Sequence, residues 1–369
     1  MTGVAAPRDP ADDLRRIAFC LERALEPSYR VKAFRTAASV VDRTPSDELE
    51  QRAREGTLTE LSGLGKVTAQ VVVESLRGEE PVYLRRVETL QGTPVAEGAA
   101  RLRAALKGDL HTHSDWSDGG SPIEEMARTA RALGHEYVVL TDHSPRLTVA
   151  RGLTSERLRE QLGVVAELNE RFAEEAAAGA TPPFRLLTGI ECDINEDGSL
   201  DQELELLAEL DVVVASVHSK LRMPAAEMTP RMIAAISNPH TDVLGHCTGR
   251  QVKGHGRGGQ GRPESEFDAE LVFAACAQFG VAVEVNSRPE RLDPPKRLLR
   301  LAVEAGCDVA IDTDAHAPGQ LDWQHLGCER AHLCGITPDR VVNARSAGEL
   351  LSWTGRGAAA GGPGPRSGR

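Results

Sequence analysis

The feature that most constrains this chain is a recurrence that begins at Gly108. Short apolar runs alternate with helix-length amphipathic segments, and most runs end on an ionisable residue. The runs are Gly108-Asp109-Leu110, Tyr137–Thr141, Arg185–Glu191, Val212–Ser216, Val243–Gly245, Val281–Val285 and Val309–Thr313. Ile123–Leu133 and Ser155–Glu175 fit between them as helices. Strand–helix alternation of this kind predicts parallel strands, in an open sheet or a barrel. In a barrel, the strand ends are where chemistry gathers.

The residues at those ends are chemically uniform. His111-Thr112-His113 follows the first run, and two histidines at i, i+2 on extended chain point the same way. Asp118 lies in the next loop, Asp142-His143 closes the second run, and Glu191 closes the third. His218, His246 and the pair Asp314 and His316 follow the fourth, fifth and last runs. Single members have ordinary explanations: Asp142 and His240 are fair candidates for a cap or a hydrogen-bonded buried group, and Asp142 is also a candidate for orienting a metal ligand from behind. Unpaired burial of so many ionisable groups costs several kcal/mol each, and a shared metal cluster removes that cost. Imidazole and carboxylate donors without cysteine suit zinc, manganese or iron.

The first hundred residues have another texture. Leu14, Ile17, Ala18, Leu21 and Leu25 recur at helical spacing, Pro27 interrupts, and Tyr29–Val41 resumes a helix. Leu58–Leu76 is a third helical region, broken by Gly63 and Gly65, and 77–107 a fourth, broken at Gly92-Thr93-Pro94. Glycines between two helices permit a tight turn, and the N–H groups opening the next helix can face a phosphate. Gly63, Gly65 and Lys66, with Arg30 and Lys32 upstream, are the DNA-binding candidates; Tyr29 and Phe34 read as core. The parts expected are a leader over 1–10, a helical domain over 11–100, a strand–helix domain over 108–352 and a disordered tail over 354–369.

The formal net charge is −12. It excludes a generally nucleic-acid-coating surface. It is also uneven: residues 1–107 carry 17 basic and 16 acidic side chains, the remainder 26 and 39. Seven cysteines without a C-x-x-C pair, no apolar core at the N-terminus and no bilayer-length run predict a cytoplasmic protein with reduced thiols and no membrane partner. No feature of the sequence specifies an oligomeric state or a preferred strand polarity.

The runs HTHSDWSDG, TDHS, GIECDI, SVHSK, DVLGHCTGR, EVNSRPERLD and DTDAH, in this order over about 108–352, resemble the polymerase and histidinol phosphatase (PHP) superfamily. They look closest to the PHP domain of bacterial family X DNA polymerases, and Leu14–Leu76 resembles the helix-hairpin-helix 8-kDa domain of those enzymes. The resemblance implies a distorted (β/α)7 TIM-like barrel behind a small all-α domain. It implies about three divalent ions: one at His111, His113, Glu191 and Asp314; one at Glu191, His218 and His246; one at Asp118, His143 and His316. Cys247 stands where the family usually has proline. Val71 occupies the position of the lyase lysine of some relatives, which argues against lyase activity. The span between the two regions is far too short for a polymerase core.

The expected function is metal-dependent hydrolysis of phosphate esters, as a phosphodiesterase, 3′–5′ exonuclease or DNA-end-processing enzyme in repair. A metal-bound hydroxide would attack phosphorus in line, with Glu191, His218, Asp118 and His143 at the reacting centre. Lys220, Arg250 and Arg151 are the phosphate-contact candidates, and the Gly249–Pro263 loop, with Arg250, Lys253, Arg257 and Arg262 among its glycines, is a candidate for backbone contacts. A histidinol-phosphatase-like phosphomonoesterase and a non-catalytic DNA-binding scaffold with structural metals are the alternatives.

Overall fold

The computed structural model describes residues 8–89, 96–252 and 259–355. Expectations for 1–7, Gly92-Thr93-Pro94, Lys253, Arg257 and 356–369 fall outside the described residues. The chain forms two compact units, Met1–Pro94 and Val95–Arg369.

The first unit contains α1 (Pro10–Arg23), α2 (Ser28–Arg43), α3 (Ser46–Glu55), α4 (Lys66–Leu76) and α5 (Val82–Glu88). Asp9 caps α1 by accepting from the N–H groups of Ala11 and Asp12, and Pro10 sits where its missing N–H costs nothing. Leu14, Ile17, Ala18 and Leu21 bury the face that periodicity predicts. Helix α3 escaped the sequence reading because it has no apolar stripe: of SDELEQRARE only Leu49 is buried. End signals specify it instead, with Asp47 and Glu48 in the first turn, Arg52 and Arg54 in the last, and Gly56 left-handed at the C-cap. Phe34 is core as expected, whereas Tyr29 is 73% exposed.

The second unit opens with α6 (Glu97–Ala105), so residues 97–100 pack with the barrel rather than with the preceding helices. There follow β1 (Gly108–Thr112), α7 (Ile123–Ala132), β2 (Tyr137–Leu140), α8 (Ser155–Ala177), β3 (Arg185–Asp193), α9 (Leu204–Glu209) and β4 (Val212–Ser216). Then come α10 (Ala225–Ile236), β5 (Val243–Leu244), α11 (Ala269–Phe279), β6 (Ala282–Asn286), α12 (Lys296–Glu304), β7 (Val309–Asp312), α13 (Gln324–Leu333) and α14 (Ala347–Trp353). The seven strands are parallel and lie in chain order.

The sheet nearly closes on itself. Leu110 donates its N–H to Asp312 Oδ1 at 2.8 Å, and His113 donates to the carbonyl of Ala315 at 2.8 Å. The barrel is distorted at β3, whose residues 185–188 pair with β2 and 189–193 with β4. Gly189 sits at the changeover, where a Cβ would stand 2.7 Å from Val139 and 2.8 Å from the Val212 carbonyl.

Alternate strand residues share a face. Leu110, Tyr137, Val139, Leu187, Val212, Val214, Val243, Ala282 and Ala310 form one apolar cluster, into which Val342, Leu350 and Leu351 pack. The opposite strand face, with Ile190, Val213, Leu244 and Val283, packs on the helices. Two-residue periodicity then carries the first face onward from Leu187 to Glu191, from Ala282 to Glu284 and from Ala310 to Asp312 and Asp314. The face that builds the core therefore also delivers the charges at the strand ends.

Candidate metal centre

Glu191 is the hub. Its Oε2 lies 3.3 Å from His111 Nε2, 3.7 Å from His113 Nε2 and 2.8 Å from His143 Nδ1. Its Oε1 lies 3.2 Å from His218 Nε2 and 2.9 Å from His246 Nε2. Asp314 Oδ1 stands 3.5 Å from His113 Nε2. Asp118 Oδ1 stands 3.5 Å from His143 Nε2 and 3.2 Å from His316 Nε2. All nine residues singled out in the sequence converge here, each through the elements their spacing suggested.

The donors fall into groups in which every donor atom lies within 4.8 Å of the others: His113, Asp118, His143 and His316; His111, His113 and Asp314; His111, Glu191 and His246; His143, Glu191 and His218. Three memberships go beyond the sequence reading: His113 also faces the Asp118 group, His143 joins Glu191 and His218, and His111 joins Glu191 and His246, so that His218 and His246, expected to share one ion, fall in different groups. The set fits divalent cations. His111 Nε2, His113 Nε2, His218 Nε2 and Glu191 Oε2 are buried atoms without a hydrogen-bond partner, all directed at one space. Buried polar atoms are otherwise satisfied in folded proteins.

The electrostatics carry the same demand. Burial alone pushes the Glu191 carboxyl up, but His111, His218 and His143 hold it well below the usual carboxylate range. Burial pulls the His218 imidazole down, yet Glu191 and Asp193 push it up to about 9. Burial, with His316 and His143 beside it, holds His113 well below its usual value, leaving the neutral ring that a metal needs. Burial raises Asp314, but Arg291 and Arg288 keep it well below the ordinary range.

Ring orientation comes from a second set of carboxylates that the sequence reading missed. Glu284 Oε1 sits 2.6 Å from His111 Nδ1, and Glu284 Oε2 accepts from the N–H of His246 at 2.5 Å. Asp193 Oδ1 sits 3.1 Å from His218 Nδ1. The bonds to His111 and His218 occupy Nδ1 of each ring and leave Nε2 facing the centre, the usual support for a metal-binding histidine, whereas at His246 the bond holds the backbone N–H. Asp109 accepts from Thr313 Oγ at 2.5 Å and so joins β1 to β7; burial pushes its carboxyl up to about 6. The legible signal was a charge inside an apolar strand, as in AVEVN and VAID.

The cation candidates divide. Arg250 donates to the carbonyls of Arg291, at 3.1 Å, and Leu292. Arg151 donates to the carbonyls of Asp115, at 3.1 Å, and Ser117. Both guanidinium groups therefore hold loops rather than face the opening. Lys220 is exposed two residues after His218, in a left-handed conformation with φ of 55°. Arg288 and Arg291, not singled out beforehand, flank Asp314: Arg291 Nε lies 3.0 Å from Asp314 Oδ2, and Arg288 Nη1 lies 3.0 Å from the Asp314 carbonyl and from His316 Nδ1. Arg291 Nη1 is buried without a hydrogen-bond partner.

In the helical unit, the turn before α4 is at the surface, with Gly63, Gly65, Lys66 and Val67 exposed. Gly63 has φ of 102°, a conformation that favours glycine, and a Cβ there would meet Thr36 and Val40 at 3.0 Å, so the backbone and the packing on α2 account for this glycine. Gly65 donates its N–H to Thr68 Oγ at 2.9 Å. Lys32 is exposed. Arg30 is paired with Glu26 and donates to Tyr83 OH at 2.7 Å.

Comparison with known proteins matches residues 109–287 to the PHP domain family. This part of the chain is a PHP domain. The chain is 39% identical over 241 residues to the DNA polymerase/3′-5′ exonuclease PolX of Bacillus subtilis, an alignment covering 65% of this chain and 40% of that protein. The chain thus spans well under half of that relative's length. It is 28% identical over 246 residues to a probable phosphatase of Thermoanaerobacter sp. (strain X514), covering 64% of this chain and 89% of that protein. Among solved structures, histidinol phosphate phosphatase from Lactococcus lactis, complexed with zinc, L-histidinol and phosphate, is similar at 18% identity and a TM-score of 0.44, covering 63% of this chain and 95% of that chain. Seven of the nine donor residues, from His111 to His246, lie within the matched span. Among the described residues no helix is long and apolar enough to cross a membrane, and all seven cysteines are free and buried.

Proposed function

We propose that the chain hydrolyses phosphodiester or terminal phosphate bonds at DNA ends or gaps, using about three divalent ions held by the nine converging side chains. The observation that carries the chemistry is the single carboxylate of Glu191 with five imidazoles around it, and Asp314 and Asp118 completing the outer positions. Bound zinc, manganese or iron would neutralise phosphoryl charge and lower the pKa of water. The protein's own part is to hold the donors, to keep His113 neutral, and to present Lys220, Arg288 and Arg291 as phosphate partners beside the ligands. The DNA part of the reading rests on the greater likeness to a DNA polymerase/exonuclease and on the exposed glycine turn of the helical unit.

A small-molecule phosphomonoesterase is the second reading. It is favoured by one observation, that a probable phosphatase aligns with this chain over 89% of its own length. Manganese-loaded protein should be offered labelled single-stranded, gapped and 3′-phosphate DNA, and histidinol phosphate. Preferential turnover of a DNA substrate is the expected result. Turnover of histidinol phosphate with none of DNA would replace the first reading with the second.

A further inference from the structure

Asp118 is the odd member of the donor set. Its side chain is 40% exposed, against 16% or less for the other eight. It is also the one donor that no strand end positions, since it lies six residues past the end of β1 at Thr112. Its place is set by the loop from Ser114 to Asp118, and that loop is held from within by a single buried group. The Asp142 side chain accepts four hydrogen bonds: from Ser114 N–H at 2.8 Å, Ser114 Oγ at 2.6 Å, Ser117 Oγ at 2.5 Å and Gln161 Nε2 at 2.7 Å. None of the four goes to a metal-facing atom. From the other side Arg151 donates to the carbonyls of Asp115 and Ser117, and Arg157 to that of Trp116 at 2.5 Å. The turn closes tightly at Gly119, where a Cβ would stand 2.6 Å from the Ser114 carbonyl.

We infer that Asp142 is the positioning residue for Asp118, and that through this loop it sets the affinity of the one ion that Asp118, His143 and His316 would share. The inference rests on the metal reading above and deepens it: two ion positions are built into the barrel wall, and the third is assembled on a loop. A carboxylate with two donors on each oxygen cannot be replaced by an apolar side chain without leaving hydrogen-bond donors buried and unmatched. Asn keeps one acceptor oxygen, and both Ser114 Oγ and the Gln161 amide can rotate to meet its NH2 group. Ala keeps neither.

The test is a manganese titration of the full chain, read by elemental analysis and calorimetry, with hydrolysis of bis-p-nitrophenyl phosphate as a parallel readout. Asp142→Ala is expected to weaken the weakest manganese site about 10–100-fold, the usual cost of losing an outer-sphere partner, while the tighter ions keep their affinity. High manganese restores its turnover, which a general structural lesion would not allow. Asp142→Asn recovers most of the affinity, and Ser117→Ala and Gln161→Met shift it in the same direction by a smaller factor. Those two milder variants decide the matter if Asp142→Ala does not fold. Wild-type affinities in Asp142→Ala, or in both milder variants, overturn the inference, as does uniform weakening of every site. Wild-type protein that takes up no manganese overturns the metal reading itself, a result distinct from the others.

Discussion

The two units bury charge in opposite ways. In the helical unit each buried acid has its own arginine: Glu22 meets Arg35 at 2.8 Å, and Asp13 meets Arg8 at 2.5 Å with Ser75 Oγ at 2.5 Å on its other side. In the barrel one carboxylate faces five imidazoles, further carboxylates stand behind them, and several donor atoms have no partner of their own. A one-to-one pair is complete as it stands and needs nothing from solution. A convergent set of donors is incomplete until a cation enters. Burial of charge marks a functional site only when the local pairing does not close.

The strongest way to break this contrast is at its hub. Glu191→Gln removes the charge that several rings face, and is expected to lower turnover at least about 100-fold, the upper value for the outer partners alone, with loss of at least one manganese equivalent. Turnover and metal content both near wild type would mean that the Glu191 cluster is closed in the way the Glu22 pair is. The next test separates the units. Removing residues 1–94 should raise KM for DNA and leave hydrolysis of bis-p-nitrophenyl phosphate nearly unchanged, because the small ester needs only the barrel. DNA cleavage indifferent to the deletion would reject delivery of DNA by the helices.

Smaller effects sharpen the comparison. Glu22→Gln leaves Arg35 without its carboxylate and should destabilise by about 1–3 kcal/mol in chemical unfolding, with the metal content unchanged. Metal loss in this variant would show that the Glu22 pair is not closed on itself. The last effect, confined to low pH, concerns His135, a buried histidine away from the centre. Burial, assisted by Arg103, holds it down at about 3. The unfolded ring has a pKa near 6.5, so between these values the unfolded state binds the extra proton. Stability is full above pH 6.5 and falls as the pH drops toward 3. His135→Gln should flatten that part of the urea-midpoint profile; an unchanged acid limb would show that the ring is protonated in the folded state.

Much of the architecture was readable because its signals are local. Strand positions followed from apolar runs of the right length, and β4 (Val212–Ser216) spans the residues expected of it. The nine donors were legible because each sits at or just after such a run, except Asp118, which was visible through its place in HTHSDWSDG. Helix α3 was not legible because it buries almost nothing and is specified by its ends. Arg151 and Arg250 were singled out as phosphate-contact candidates because they are cations close in sequence to the donor runs. Their guanidinium groups instead satisfy carbonyls of loops distant in sequence, which no spacing reports.

Composition and spacing alone determined that this chain alternates strands with helices, and that the strand ends carry imidazoles and carboxylates without cysteine thiolates. Period-two alternation is a short-range property, so it can be read one segment at a time. Tertiary structure decided which donors share a space, which ring nitrogen faces it, and which charges are already answered. Glu284 reaches His111 across 173 residues, and Asp142 fixes a loop 28 residues before it. Such bonds depend on closing a barrel, and closure brings together strands whose sequences carry no record of their neighbours.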